Sequence, residues 1–154
     1  MSDPAISTYL AQHAFFRGLS DQQLDLLASC ASAMRYGTQQ RVFKYDTDAD
    51  KFYILRDGKV AVEIPAIAGE PLRLQTLGNG GVLGWSWLIP PYRWLFDARA
   101  LAPSDIIVMD GARLRDECER DPLLGYQLMK RFAVLMAERL NASRLTAIRQ
   151  YTGS

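Results

Sequence analysis

Asp50-Lys51-Phe52-Tyr53-Ile54-Leu55-Arg56-Asp57-Gly58-Lys59-Val60 decides how the middle of the chain is read. Phe52–Leu55 is a short apolar run of β type, and Val60-Ala61-Val62 is a second. The Asp57-Gly58 pair between them is the strongest two-residue hairpin signal in the sequence, because glycine supplies the positive φ of a tight turn. Working outward, Val42, Leu72-Arg73-Leu74 and Ile106–Met109 add further β-type runs, and Ala68-Gly69 and Gly78-Asn79-Gly80-Gly81 mark reversals. Short strands about 8–12 residues apart indicate a sandwich or barrel rather than alternating βαβ units.

Both flanks read as helix. Ser20 is an N-cap with Gln23 three residues on, a capping-box spacing, and Leu24, Leu27 and Ala28 then share one face. Leu10, Ala14 and Phe15-Phe16 suggest a short helix before it. After the strand at Ile106–Met109, a helix is expected over Asp110–Arg120. Asp121-Pro122 restarts another that runs to about Gln150. The expected organisation is one domain over 1–154: a helical lead-in over 1–33, a β-roll over 34–110 and closing helices over 111–151.

The last helix carries more apolar surface than one packing face requires. Leu124, Tyr126, Leu128, Met129, Phe132, Ala133, Leu135, Met136 and Leu140 fill an arc of roughly 200°, interrupted by Arg139. A helix that covers its own domain needs about 100°. The excess points to a homodimer along this helix.

Composition removes several function classes. The chain is 49% hydrophobic and 23% charged with a formal net charge of +1, which suits one globular core and not non-specific nucleic-acid binding. Cys30 and Cys118 form no C-x-x-C pair, and His13 is the only histidine, so multi-histidine metal centres are excluded. The thiols and His13 read as core or helix positions, and no catalytic residue is assigned. Asp46-Thr47-Asp48-Ala49-Asp50 opens like an EF-hand loop, but Lys51 and Asp57 stand where that loop needs Gly and Glu, so it reads as a solvated turn. The glycine turn at 78–81 lacks the Gly-Lys-Ser/Thr of a P-loop. No signal peptide and no membrane-length apolar run is recognised, so the expectation is a cytoplasmic protein.

One segment stands apart. Gly84–Arg99 holds all three tryptophans, and Trp85, Trp87, Tyr92, Trp94 and Phe96 place five aromatics in twelve residues. Such density marks a local core or a ligand-facing wall. Trp94, Phe96, Ala98 and Ala100 alternate with Arg93, Leu95, Asp97 and Arg99, giving an apolar and a charged face. The glycines ahead of it free the backbone to enter a short helix whose first N–H groups can face an anion.

With the Tyr53-Ile54-Leu55-x-x-Gly58-x-Val60 stretch, the glycine turn, Gly84, the Arg99-Ala100 strand end and two closing helices, the chain resembles the cyclic nucleotide-binding domains of Crp/Fnr type. The resemblance implies an eight-stranded jelly roll flanked by helices, holding a ligand against a phosphate-binding cassette. It implies a regulatory module, not an enzyme, with cAMP, cGMP or a similar small anionic ligand and no other cofactor or metal. Carried over by position, Gly84 is the cassette glycine, and the N–H groups of Ser86 and Trp87 face the phosphate. Trp85 stands where the family has a ribose-binding Glu, and an indole can only donate. Arg93 is the candidate phosphate partner, whereas anchoring on Arg99-Ala100 places Trp94 there. The family's transcription factors continue into a helix-turn-helix domain, and this chain stops at Ser154. Direct DNA binding is therefore not expected, and the basic Lys130, Arg131, Arg139, Arg144 and Arg149 read as a solvated or partner-facing surface, the partner being unknown. Cupin metal chemistry fails because the strands contain no histidine. Two functions follow: a sensor signalling through its closing helices, or a ligand-free roll serving dimerisation or protein interaction.

Overall fold

The computed structural model describes residues 4–151. Two helices, α1 (Pro4–Gln12) and α2 (Asp21–Ser29), flank a 3-10 turn at Ala14–Phe16 and lead into the strands. The Ser20 capping box forms as the sequence predicts: Gln23 N–H donates to Ser20 Oγ at 3.1 Å, and Ser20 N–H donates to Gln23 Oε1 at 2.9 Å. Eight strands follow among the described residues: β1 (Ala31–Tyr36), β2 (Arg41–Phe43), β3 (Lys51–Asp57), β4 (Val60–Ile64), β5 (Leu72–Leu77), β6 (Val82–Leu83), β7 (Asp97–Ala100) and β8 (Ser104–Asp110). The first strand starts at Ala31, slightly before residue 34, the expected start of the β-roll. Helices α3 (Gly111–Arg120) and α4 (Pro122–Tyr151) close the chain. Asp121 caps α4, accepting from Leu124 N–H at 3.3 Å.

The strands form two four-stranded antiparallel sheets, β1-β8-β3-β6 and β2-β7-β4-β5. This is the expected jelly roll. One local expectation fails: Asp57-Gly58 does not join a hairpin. Strand β3 pairs with β8 and β6, while β4 pairs with β5 and β7, so the turn carries the chain from one sheet to the other. The reason lies in β3, an inner strand of its sheet that is also buried on both faces. Phe52 and Ile54 enter the core beneath the helices, and Tyr53 and Leu55 enter the core between the sheets. Its two edges are also taken, one by β8 and the other by β6, so it has none to offer its successor. Gly58 makes the corner at φ +135°, held where Lys59 N–H donates to Ser104 Oγ and Leu101 N–H donates to the Lys59 carbonyl.

Helix α4 lies over the first core through Leu124, Leu128, Phe132 and Leu135, spaced to share one face. Phe132 meets Phe15, Phe52 and Trp87 edge-on, joining the lead-in, the sheet and the β6–β7 connection in one contact set. The remaining apolar arc stays outside: Tyr126 is 60% exposed and Leu140 71%.

A Cβ on Gly58 would lie 2.8 Å from the Ser104 Cα and closer still to its side chain. Gly58→Ala is expected to cost about 2–4 kcal/mol in urea unfolding with an unchanged m-value. Gly69→Ala, whose Cβ meets nothing within 4 Å, is expected to cost clearly less.

Candidate functional site

The connection from β6 to β7 leaves the sheet at Gly84, whose φ of +92° turns the backbone under the roll. The expected short helix does not form. Leu88 N–H donates to the Trp85 carbonyl at 3.0 Å, closing a single turn. Pro90 and Pro91 then have no N–H to donate to the carbonyls of Ser86 and Trp87, which a helix would require. Arg115 on α3 instead donates to the Trp87 carbonyl at 2.6 Å and to the Ala49 carbonyl at 3.2 Å, with its guanidinium over the Tyr92 ring. Among the described residues, the N–H groups of Ser86 and Trp87 meet no acceptor.

The three tryptophans part company. Trp87 turns into the helix-side core, stacked on Phe52 at 5.1 Å, with its indole N–H buried and unpaired. Trp94 enters the roll and stacks on Phe43 at 3.9 Å and 10°, with Tyr53 beside it. Burial in this cluster also pushes the Tyr53 hydroxyl pKa far up, so it stays neutral. Trp85 is half-buried against the helix-side core, its ring edge-on to Phe96 and 5.7 Å from the Arg139 guanidinium. Of the residues assigned to a ligand cradle, the structure brings only Gly84 and Trp94 into contact; Trp85 and Trp87 pack with the helix-side core, Ser86 is buried, and Arg93 turns outward.

Trp94 lies directly against Gly84: a Cβ there would be 2.6 Å from the indole Cη2. The space above Gly84 is therefore occupied by this chain's own ring. Arg93 points outward, where Nη1 donates to Asp48 at 2.8 Å, Nε to Asp46 at 3.3 Å and Nη2 to the Asp46 carbonyl. The acidic stretch that imitates a calcium loop thus serves as counter-charge to Arg93. On β7, Ala98 and Ala100 face the roll as read from the sequence. Asp97 is buried on the opposite face, contrary to the expected charged surface, because its carboxylate accepts from Tyr45 N–H at 2.7 Å beside Arg41. Arg99 pairs across the sheet with Glu63 at 2.8 Å.

The basic face of α4 needs a correction. Arg139 is 4% exposed, and its Nη2 donates to the Val82 carbonyl at 2.9 Å while Nε has no partner. Arg131 donates to the carbonyls of Phe15, Gln127 and Arg17. Against the expectation of a solvated or partner-facing surface, both anchor the helix to backbone carbonyls. Burial lowers the Arg139 pKa to about 10, against an opposing pull from Glu138, so the group remains a cation at neutral pH. Gln75, whose Oε1 is also buried and unpaired, had no signal in the sequence. Arg139 had one, as the break in the apolar arc. His13 bridges the lead-in to the glycine turn, Nε2 donating to the Gly80 carbonyl at 2.7 Å while Nδ1 accepts from Phe15 N–H. Burial raises the Cys30 thiol pKa and takes Cys118 to about 11, which keeps both protonated and unreactive.

The family model of the cyclic nucleotide-binding domain matches residues 33–121, more than half the sequence. The chain belongs to that family. A Geobacter metallireducens GS-15 protein described as a cyclic nucleotide-binding protein is 30% identical, superposes with a TM-score of 0.79, and is matched over 97% of its length and 87% of this chain. The Thermus thermophilus catabolite activator protein is 23% identical with a TM-score of 0.67, and is matched over 62% of its length and 89% of this chain. The regulatory subunit of a cAMP-independent protein kinase A from Trypanosoma brucei shares the fold at 17% identity and a TM-score of 0.67, over 45% of its length and 82% of this chain. No curated protein matches the chain. No helix among the described residues is long and apolar enough to cross a membrane.

In this chain the interior of the roll beside Gly84 is filled by the stacked pair of Trp94 and Phe43. Trp94→Ala removes the largest ring inside the roll and is expected to cost about 3–5 kcal/mol in chemical denaturation. Arg93→Ala, which cuts only exposed pairs, should leave the unfolding midpoint in place.

Proposed function

We propose that this chain is a regulatory module of the cyclic nucleotide-binding family whose roll is closed to cyclic nucleotides and whose output is assembly through α4. The observation that carries the reading is the Trp94 indole seated against Gly84 and stacked on Phe43. A nucleotide phosphate at Gly84 would have to displace that ring from a packed core. Two further features agree: Trp85 cannot accept a ribose hydroxyl, and Arg93 is committed to Asp46 and Asp48. The Trypanosoma brucei subunit, described as cAMP-independent, is a precedent for this fold in a protein that does not answer to cAMP. The open amides of Ser86 and Trp87 favour the competing reading, a cyclic-nucleotide sensor, and thermal unfolding separates the two. Neither cAMP nor cGMP should move the midpoint at millimolar concentration. A saturable rise of roughly 5–10 °C with either one would overturn the closed-roll reading.

Assembly rests on the outer face of α4. Tyr126, Met129, Leu140, Ile148 and Tyr151 are 41–92% exposed and fall on one stripe along a helix about 45 Å long. A second copy packed along that stripe gives each helix an apolar partner. Light scattering should give twice the 17.3 kDa chain mass. Leu140→Glu should return the monomer mass with the fold intact, and a monomeric wild type would remove the dimer from the proposal.

A further inference from the structure

A cleft of about 710 Å3 lies between α4, the 3-10 turn and the strip running from β5 to β6. Its size is that of a small-molecule site, and Phe15, Leu77, Val82, Val134 and Leu135 make its walls largely apolar. Two buried polar atoms on its lining residues have no partner: Gln75 Oε1 and Arg139 Nε. Leaving such atoms unmade is costly, and a buried guanidinium without a counter-charge more so. Arg139 is held by one carbonyl and faces no carboxylate within ion-pair distance among the described residues.

The surrounding charge points the same way. Arg17, Lys130 and Arg131 also line the cleft, and none of them forms an ion pair among the described residues; Glu138 is the single acid on the lining. Carbonyls satisfy the donors of Arg131 without neutralising it. The walls therefore fit a molecule that is apolar over most of its surface and negative at one end. The Arg139 guanidinium carries five N–H groups and the Val82 carbonyl takes one, so donors remain for an anion, and the unpaired acceptor on Gln75 asks for a hydrogen-bond donor.

We propose that this cleft binds an organic carboxylate with an apolar body of medium acyl length. Arg139 holds the carboxylate, and Gln75 accepts from a hydroxyl or amide N–H beside it. The site is set by α4 and not by the cassette, so it takes a ligand while the roll stays filled. Arg139 and Leu140 are adjacent on α4, so a ligand seated on the first would shift the helix that presents the second. The inference rests on the reading of the chain as a regulatory module and gives that module an effector class.

The test is thermal unfolding and calorimetric titration of the full chain with decanoate, 3-hydroxydecanoate and decanol. Both acids should raise the midpoint saturably, by roughly 5–10 °C at a hundredfold excess over the dissociation constant. The hydroxy acid should bind more tightly, and decanol should produce no saturable shift. Arg139→Met, which keeps the shape and removes the charge, should weaken decanoate binding at least tenfold. Gln75→Leu should abolish the preference for the hydroxy acid and spare decanoate. Should Arg139→Met not fold, the wild-type chain still decides: decanoate should change Trp85 emission, and Trp85→Phe should remove that change while keeping the midpoint shift. No shift with either acid at millimolar concentration, equal response to decanol, or undiminished binding by Arg139→Met overturns the proposal. Those failures leave the closed-roll reading standing, since cAMP and the α4 dimer are measured separately.

Discussion

The stack of Trp94 on Phe43 over Gly84 is the contact on which the interior of the roll depends. It joins β2, the end of β6 and the approach to β7, and it brings in Tyr53 from β3. Each of those elements belongs to a different part of the sequence, so one ring closes the space that their sheets enclose. Aromatic pairs at this distance add about 0.5–1.5 kcal/mol beyond their buried area. The absence of a side chain at Gly84 is what admits the indole so closely. The same glycine that resembles a phosphate-binding position is here the floor of a packed core.

Charges in this molecule are disposed by what each can reach. Arg93 finds two aspartates at the surface, and Arg99 finds Glu63 across the outer face of the second sheet. Arg131 and Arg139 reach no carboxylate and settle on backbone carbonyls left open by the lead-in and by β6. Those bonds fix α4 against the body at two heights, one near the 3-10 turn and one near the mouth of the roll. They also leave positive charge uncompensated along the cleft, which is why an anion is the natural complement there.

Helix α4 consequently has two separate faces. Leu124, Leu128, Phe132 and Leu135 tie it to the core, and the stripe from Tyr126 to Tyr151 faces outward. A helix held by packing on one side and by two guanidinium–carbonyl anchors can shift when an anchor is satisfied differently. That gives a physical route from a small ligand to an assembly state, without any change inside the roll.

By itself, the sequence determined the element order, the capped helix starts at Ser20 and Asp121, a sandwich-or-barrel class and the excess apolar arc of the last helix. These are local or periodic properties, set by spacing along the chain. Only the tertiary structure decided that β3 and β4 part at Gly58, because the edges of β3 are taken by β8 and β6, strands far along the chain. The destinations of Trp85, Trp87 and Trp94, the outward turn of Arg93 and the burial of Arg139 were equally undetermined. The connection from Gly84 to Asp97 is irregular, and in such a segment a shift of one residue sends a side chain to the opposite face. Which face each one takes was settled by Phe43, Asp46, Phe52 and Val82, partners brought there by folding rather than by their place in the chain.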